Sequence, residues 1–462
     1  MSARRYHAVA TLAVAAAVLV GCTPDASPRA DTTPIASDAA SPSSEPSASS
    51  EPSESAEGPQ CTQPLVIATH QTRPPLRLTE DQARRIAAGG DGRRTVDSVS
   101  KLIDNPDAVA VLPAGRVGPQ VRVAVVDGVH PLQAPATYPL RAPSRGCVSR
   151  PTTLSVVGDI MLARGVAEAA GSQPGRQLQP TARRLGAADL TVGNLESSLS
   201  MAGAPTQGGD SFAADPRVAA ALARAGFDVL SLANNHAGDF GPLALRQSVR
   251  RLERAGLDTF GAGADLAAAR EPSVVDRRGT TFGFVGFNVI GETPEAGPET
   301  TGAVSVSMPP RTGPLDRGEL DRLLRYVRRT AARVDVVVVM PHWGTQYTNV
   351  PELVQRQVAR ELVAAGADLV VGGHPHWVQG VETVGDTFVA HSLGNFVFDM
   401  DFSAETMVGV VLETVWWGEQ LKAVELVPYR MDESFAPRFV SWREGLPTLR
   451  LLWETSGPAF SP

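Results

Sequence analysis

Carboxylate, amide and imidazole side chains, the types that bind divalent metals, recur directly after short apolar runs in this 462-residue sequence. They are Asp159, Glu196, Asn235, His236, His342, His374 and His376. In open α/β sheets, ligands bind beyond the carboxyl ends of the strands, so side chains that follow different strands can meet at one edge. A lone histidine after a strand is more often a loop hydrogen-bonding residue than a ligand. Seven such side chains at equivalent positions favour a metal site.

The ligand types indicate which metals would bind there. Oxygen and nitrogen donors without cysteine suit Mn, Fe or Zn in an open, water-bearing site, whereas structural zinc sites are closed by four protein ligands. His374 and His376 are separated only by Pro375. In an extended segment their side chains would point to opposite sides, but a turn would aim both at neighbouring metals.

The apolar runs that precede these residues alternate with amphipathic helical segments. Strands are predicted at 154–157, 189–192, 229–232, 334–340, 367–371 and 388–391. Leu245, Val249 and Leu252 share one face of a helix. This alternation predicts buried, largely parallel β-sheet. Segments 406–414 and 421–428 are predicted to complete a second sheet, and the Gly-, Pro- and Thr-rich segment 297–313 is predicted to be a loop over the site.

A family resemblance rests on the order of the motifs. They are Gly-Asp, Gly-Asn-Leu-Glu, Asn-Asn-His, Pro-His-Trp-Gly, Gly-His-Pro-His and Ser-Leu-Gly-Asn-Phe. Over roughly residues 152–430 this order resembles the CapA family, which is linked to poly-γ-glutamate capsule synthesis and is similar in fold to the calcineurin-like metallophosphoesterases. The resemblance implies an α/β fold with four layers, α/β/β/α, in which two sheets pack face to face between helices.

The resemblance also implies roles for the candidate residues and the binding of one or two divalent ions. Asp159 and His376 are similar to ligands of one metal, and Glu196 is similar to the bridging carboxylate. The second metal would take Asn235, His342 and His374. His236 would contact the substrate or protonate the leaving group.

The sequence departs from the phosphoesterase pattern in two places. The usual Asp-x-His of the first motif is Asp159-Ile160-Met161, and the usual aspartate of the second motif is Glu196. The first metal site therefore has one nitrogen ligand fewer than the superfamily pattern.

Other polar residues are candidates for supporting roles. Arg164 is expected to hold a phosphate or carboxylate of the substrate, with a surface arginine as the alternative. Asp239 and Asn395 are expected to orient ligand histidines or the backbone, although Asn395 is alternatively a turn residue. Tyr347 and Trp343 are candidates for lining a cleft, and core packing is the alternative for Trp343.

The amino terminus has the pattern of an export signal. A short basic region precedes the apolar segment 8–20, and Leu19-Val20-Gly21-Cys22 resembles the bacterial lipobox, which implies lipidation of Cys22. An ordinary signal peptide with an incidental Cys22 is the alternative. We expect an exported protein that is lipid-anchored to the outer face of the cell membrane.

The remaining chain divides by composition. Residues 1–22 form the signal peptide. Residues 23–60 contain seven acidic residues, one arginine and almost no large apolar side chains, which predicts a disordered tether; a glycosylated stalk is the alternative. Residues 61–150 predict a small N-terminal α/β domain bracketed by Cys61 and Cys147, which we expect to pair in an oxidising compartment. Residues 151–430 form the CapA-like domain, and 431–462 have the weak pattern of a C-terminal tail.

Composition excludes several classes of protein. With 42 Lys and Arg against 49 Asp and Glu, the net charge is −7 and no domain is basic, which argues against a nucleic-acid binder. Three cysteines are too few for a disulfide scaffold or a zinc finger. After residue 22 no apolar run approaches the roughly 20 residues of a spanning helix, so a multi-pass membrane protein is excluded.

Three functional hypotheses follow. The first is a CapA-like surface lipoprotein that acts in synthesis, export or attachment of an anionic envelope polymer through a metal-dependent hydrolase or transferase site, alongside other polymer-synthesis subunits. The second is a non-catalytic scaffold that holds polymer carboxylates on its metal. The third is a general metallophosphoesterase with a phosphoester substrate.

Overall fold

The computed structural model describes residues 61–144 and 150–461. The predicted signal peptide with Cys22, the predicted tether and Cys147 lie outside the described residues.

The strands of the described part are β1 (Cys61–His70), β2 (Arg77–Leu78), β3 (Thr95–Val96), β4 (Val109–Pro113), β5 (Val121–Val123), β6 (Val125–Val126), β7 (Arg141–Ser144), β8 (Pro151–Ile160), β9 (Leu190–Leu195), β10 (Val229–Ser231), β11 (Asp258–Phe260), β12 (Ala262–Gly263), β13 (Ser273–Arg277), β14 (Thr280–Asn288), β15 (Gly302–Ala303), β16 (Val336–His342), β17 (Leu369–Val371), β18 (Val381–Val384), β19 (Thr387–Ala390), β20 (Asn395–Val397), β21 (Val408–Trp417), β22 (Gln420–Met431) and β23 (Pro437–Phe439). The helices are α1 (Glu80–Ala87), α2 (Val99–Ile103), α3 (Arg164–Ala170), α4 (Gln179–Leu185), α5 (Val218–Arg224), α6 (Gly241–Arg254), α7 (Leu266–Ala269), α8 (Arg317–Ala331), α9 (Leu353–Ala364) and α10 (Trp442–Trp453).

Two large sheets dominate the part of the chain that follows residue 150. The first sheet has the order β11-β10-β9-β8-β21-β22-β23, with β20 also paired to β8. The second sheet has the order β13-β14-β16-β17-β19-β18. The central strands β8 to β11 run parallel, as do β14, β16, β17 and β19. Antiparallel strands flank each parallel core.

The sheets form the two inner layers of a sandwich. Apolar side chains of β8 and β9 pack against those of β14 and β16 in one buried cluster, which includes Val156, Val192, Phe284 and Val338. Helices α3 to α6 cover the outer face of the first sheet, and α8 and α9 cover that of the second. Strand β16 is apolar on both faces because both faces are buried. The predicted four-layer α/β/β/α fold is confirmed.

A small α/β domain precedes the sandwich, as the sequence predicts. Its five-stranded sheet has the order β3-β4-β1-β5, with β7 on β1. Helix α1 begins with a capping box, in which Thr79 and Gln82 satisfy each other's backbone N–H groups. Cys61 is disulfide-bonded, but its predicted partner Cys147 lies outside the described residues, so that pairing stays a prediction.

Two expectations about the carboxyl-terminal part differ from the structure. Strands β21 and β22 belong to the first sheet, because β21 pairs antiparallel with β8. Residues 431–462, predicted to be a tail, form β23 and α10, and Leu449, Leu452 and Phe460 are buried between the sheets. Pro447 lies inside α10, and this weakens the helical pattern in the sequence.

The described helices are short. The longest is α8, with 15 residues, and no helix in residues 61–144 or 150–461 is long and apolar enough to cross a membrane.

Candidate metal centre

The predicted ligands lie where strands of both sheets end. Asp159 is next to the last residue of β8, and Glu196 directly follows β9. Asn235 and His236 lie in the loop after β10, and His342 is the last residue of β16. His374 and His376 follow β17. The facing edges of the two sheets therefore bring together side chains that are far apart in the sequence.

The ligand atoms form two overlapping groups. In the first, Asp159, Glu196 and His342 each offer an atom within 4.8 Å of the others. In the second, Glu196, His374 and His376 do so at the same limit. Glu196 belongs to both groups, which is the position that a bridging carboxylate needs. The grouping places Asp159 with His342, whereas the family resemblance assigns Asp159 to an ion with His376; the Asp159 and His376 side chains approach to 3.9 Å.

The loop Gly372–His376 adopts the turn that the two histidines require. His374 and His376 have φ values of 94° and 59°, in the left-handed backbone region that residues other than glycine rarely adopt. The backbone N–H of His374 donates to Oδ2 of Asp159 over 2.9 Å. A Cβ atom on Gly373 would collide with the Asp159 carboxylate. The glycine therefore permits the close approach of this loop to β8.

Two buried asparagines, Asn194 and Asn234, connect the ligands. The Asn194 Nδ2 group donates to Oδ1 of Asp159 over 2.8 Å and lies 3.3 Å from Nδ1 of His342. The Asn194 Oδ1 atom accepts from Nδ2 of Asn234. The Asn234 Oδ1 atom accepts from the backbone N–H of His236. This amide chain couples the ends of β8, β9, β10 and β16.

His236 is held by the loop between Gln207 and Phe212. Its Nδ1 lies 2.9 Å from Oδ2 of Asp239, an acceptor, so Nδ1 carries the proton and Nε2 faces Glu196 Oε1 at 3.9 Å. The same Asp239 oxygen accepts from the backbone N–H of Phe212 over 2.6 Å. The Phe212 ring stacks on the imidazole with a centroid distance of 3.8 Å. Asp239 thus orients His236 and the Phe212 backbone.

Asn395 fixes the tautomer of His376. The Asn395 Nδ2 group donates to the carbonyl of Thr406, so its Oδ1 accepts from Nδ1–H of His376 over 2.8 Å. The Nε2 atom of His376 is then unprotonated and available as a ligand. The Asn395 side chain is therefore hydrogen-bonded to a candidate ligand, and its role in orienting that ligand stays a prediction.

Burial shifts the pKa values of the cluster in opposite directions. Desolvation lowers the pKa of His342 to about 4 and of His376 to about 3, and it lowers the pKa of His374 well below its usual value. These imidazoles are neutral at pH 7, as metal ligands must be. Desolvation raises the pKa of Asp159 to about 7 and of Glu196 to about 8. Repulsion by the nearby Glu196 carboxylate raises the pKa of Asp159 further. A bound cation would favour the ionised carboxylates.

The donor set fits a divalent ion. Among the described residues, Glu196 Oε1 and His374 Nδ1 are buried atoms without a hydrogen-bond partner, and such atoms are costly unless something binds them. Oxygen and imidazole donors, neutral histidines and a shared carboxylate are what Mn, Fe or Zn would use. Buried Glu, Asp and His groups of this chain could therefore hold a metal ion.

Met161 occupies the place of the missing first-motif histidine. Its side chain is buried, and its Sδ atom accepts from the backbone N–H of Ala163 over 3.1 Å. The thioether therefore has a structural partner within its own turn.

The accessible side of the cluster is formed by Arg164, Tyr347 and Phe402. The Asp399 carboxylate binds the Arg164 guanidinium through Nε and one terminal nitrogen, and the guanidinium lies 4.3 Å from the Phe212 ring centre. Tyr347 stacks beside His376 at 6.0 Å, and Phe402, 65% exposed, packs edge-on against Tyr347. Trp343, in contrast, is buried in the core, as the alternative interpretation holds.

Sequence reasoning missed several residues of the site. Asn194 and Asn234 lie beside predicted site residues in the motifs Gly-Asn-Leu-Glu and Asn-Asn-His, so their residue types and positions offered a signal. Gln207, Phe212 and Glu292 lie in irregular loops without any pattern. The Glu292 carboxylate accepts from Nδ2 of Asn235 over 2.9 Å, so the segment between β14 and β15 reaches the site.

Comparison with known proteins gives a consistent family match. The family model described as bacterial capsule synthesis protein PGA_cap matches residues 153–400. The chain is 31% identical over 257 residues to the PGA biosynthesis protein CapA of Bacillus subtilis (strain 168), covering 54% of this chain and 64% of that protein. It is 31% identical over 277 residues to the capsule biosynthesis protein CapA of Bacillus anthracis, covering 57% and 63% respectively. The chain therefore spans just under two thirds of the length of these relatives.

A mycobacterial relative is also similar. Over 176 residues the chain is 30% identical to a probable polyglutamine synthesis accessory protein of Mycobacterium tuberculosis (strain ATCC 25618 / H37Rv). That match covers 37% of this chain and 46% of the relative.

Proposed function

The chain belongs to the PGA_cap family of bacterial capsule synthesis proteins, and we propose that it acts in synthesis, export or attachment of an anionic envelope polymer of the poly-γ-glutamate type. We propose further that it does so through a divalent-metal-dependent hydrolase or transferase site, in company with other polymer-synthesis subunits. The names of its relatives in two Bacillus species support the polymer assignment.

The observation that carries the proposed chemistry is that two potential ligand atoms of the cluster, Glu196 Oε1 and His374 Nδ1, are buried without a hydrogen-bond partner among the described residues. They lie within a cluster of neutral imidazoles and carboxylates. A bound Mn, Fe or Zn ion would polarise a phosphoryl or carbonyl oxygen and lower the pKa of a bound water. Asp159, Glu196, Asn235, His342, His374 and His376 would hold it.

His236 has the position of a proton donor in this proposal. Asp239 holds Nδ1–H, so Nε2 is the atom that would hold a proton and pass it to the leaving group. The stacked Phe212 ring limits rotation of the imidazole. Arg164, held by Asp399, would orient a carboxylate or phosphate of the substrate on the accessible side.

A second candidate function is a metal-dependent scaffold that binds polymer carboxylates without turnover. The observation that favours it is Met161, whose sulfur offers no nitrogen ligand and is already engaged by Ala163. With a weaker first site, a single ion would bind an anion without assembling the two-metal arrangement of phosphoesterases. A general metallophosphoesterase would instead require turnover of simple phosphoesters.

One experiment separates these functions. The purified chain would be analysed for Mn, Fe and Zn and then assayed on a phosphoester panel and on γ-glutamyl polymers with added Mn²⁺, beside the matched variant His236→Ala. Polymer turnover that His236→Ala abolishes supports the hydrolase or transferase. Metal without turnover of either substrate supports the scaffold, and turnover of phosphoesters alone supports the general phosphoesterase. Absence of metal after reconstitution with Mn²⁺, Zn²⁺ or Fe²⁺ rejects the metal centre.

A further inference from the structure

Glu292 lies between the candidate ligand Asn235 and a surface arginine. One carboxylate oxygen, Oε2, accepts from Nδ2 of Asn235 over 2.9 Å. The other, Oε1, forms an ion pair with Arg311, whose side chain is 45% exposed. On the far side of Asn235, the amide Oδ1 lies 2.8 Å from Nε2 of His342. Glu292 thus contacts the outer end of an amide whose inner end faces the cluster.

The chemistry of the two groups determines which way the amide points. The two ends of an asparagine amide have nearly the same shape, but one accepts hydrogen bonds and the other donates them. A carboxylate only accepts, so it favours Nδ2 on its own side. With Glu292 outside, Oδ1 must face His342 and the metal cluster. Only that orientation presents an oxygen ligand, because Nδ2 has no free lone pair for a metal.

The backbone brings Glu292 to this place at a conformational cost. Glu292 has a φ of 68°, in the left-handed region, directly after Gly291. The next residue, Thr293, accepts from the backbone N–H of Gly238 through its Oγ1 over 2.9 Å. Two successive residues of this segment therefore contact the loop that carries Asn235 and His236.

We propose that Glu292 is a positioning residue of the metal centre, which sets the end of Asn235 that faces the metal. The proposal rests on the proposed metal centre and adds a residue outside the ligand set. The alternative is that Glu292 serves only as the surface partner of Arg311, and exposed ion pairs of that kind contribute little. That alternative predicts no effect of Glu292 on metal binding.

The test compares Glu292→Ala and Glu292→Gln with the wild-type chain by titration calorimetry with Mn²⁺ alone. Glu292→Ala should raise the Kd for Mn²⁺ by about 10–100-fold, the usual effect of losing the partner of a metal ligand. Glu292→Gln should bind close to the wild-type affinity, because the glutamine Oε1 can still accept from Asn235 Nδ2. The Co²⁺ absorption spectrum should change in Glu292→Ala and not in Glu292→Gln.

Arg311→Ala is the matched control, since it removes the ion pair and leaves the acceptor for Asn235 in place. Equal melting temperatures of the metal-free proteins would show that all variants are folded. Unchanged Mn²⁺ affinity in Glu292→Ala overturns the proposal. A loss in Glu292→Gln as large as in Glu292→Ala also overturns it, because negative charge or direct ligation would then matter rather than amide orientation. Failure of the wild type to bind Mn²⁺, Zn²⁺ or Fe²⁺ rejects the metal centre itself and, with it, this role.

Discussion

At the scale of single residues, the site separates groups that would hold a metal from a group that would move a proton. Glu196 is wholly buried and shared by both ligand groups. His236 is the most exposed of the predicted site histidines, at 7%, and its Nε2 lies 3.9 Å from Glu196 Oε1. Because Glu196 and His236 are so close, both could be taken for metal ligands. Substitution of each residue is needed to separate metal binding from proton transfer.

Glu196→Ala should lower the metal content of the purified chain, because it removes the only carboxylate common to both groups in the described residues. His236→Ala should leave the metal content unchanged and, if the chain turns over a substrate, reduce the rate by about 10²–10⁴-fold. Elemental analysis of both variants after Mn²⁺ reconstitution checks the first point. Equal loss of metal in the two variants would contradict the division of roles.

Phe212 shows why part of the site could not be predicted. Its ring and its backbone N–H both contact the His236–Asp239 pair, yet it lies in a loop without periodicity or motif. Asp239, by contrast, was already a candidate from the sequence, as a carboxylate that orients a ligand histidine or the backbone. Polar residues that could act as ligands or acids can be recognised in the sequence by their residue type and motif. An aromatic residue that positions them from an irregular loop cannot.

At the scale of elements, close approach of backbones sets the shape of the site. Strand β8 passes the Ser-Leu-Gly-Asn loop so closely that the N–H of Asp159 donates to the carbonyl of Gly394 over 3.1 Å. A Cβ atom on Gly158 would collide with that carbonyl oxygen. The glycine before Asp159 is therefore needed for the contact between β8 and the loop that leads to Asn395.

Gly158→Ala should destabilise the fold by about 1–3 kcal/mol, the usual cost of overpacking, and should lower metal content by displacing Asp159. Gly209→Ala is the matched control, because the structure has open space at that Cβ position. Urea unfolding of both variants checks the prediction. Wild-type stability in Gly158→Ala would show that β8 and the loop can separate without cost.

Beside the parallel pairing of β16 and β17 lies a partly buried carboxylate that offers a pH test. Asp368 precedes β17 and accepts from the backbone N–H of Val337 over 2.7 Å. Burial raises the pKa of Asp368 to about 6, above its ordinary value in an unfolded chain. The folded state therefore holds this proton more tightly, and stability is lost as the pH rises through about 6.

Asp368→Asn should stabilise the chain by on the order of 1–2 kcal/mol at pH 7 and by less at pH 4.5, since the asparagine keeps the acceptor without the charge. Urea unfolding of variant and wild type at each pH measures the difference, so that other titrating groups cancel. A gain that is independent of pH would show that Asp368 does not titrate differently in the folded state.

At the scale of the whole molecule, the family resemblance implied the sandwich, but neither it nor the sequence pattern showed how the sheets are completed. Strongly β-branched runs such as Val336–Val339 and the periodic helices identified the parallel layers. The sheet to which β21 and β22 belong could not be inferred, because the sequence of an antiparallel strand does not specify which other strand it pairs with. Helix α10 was missed because Gly445 and Pro447 interrupt its pattern, although Ser441 and Glu444 form a capping box at its start.

The proposed location of the molecule rests on Cys22, which lies outside the described residues. If Cys22 is lipidated, Cys22→Ala should move the protein from the membrane fraction to the soluble fraction of cells that express it. Immunoblots of fractionated cells that express the wild type or the variant check this. Unchanged membrane association of Cys22→Ala would reject the lipid anchor.

The candidate ligands are contributed by both sheets, and this has a kinetic consequence. Asp159 and His374, in direct contact, are 215 residues apart, so the centre is complete only when both sheets have formed and packed. Contacts of such long range generally form late in folding. Divalent metal should therefore leave the folding rate of the chain nearly unchanged and slow its unfolding, because it stabilises interactions that the transition state lacks. Stopped-flow unfolding in urea with and without Mn²⁺ would measure this, and faster refolding with metal would mean that the ligand loops assemble early.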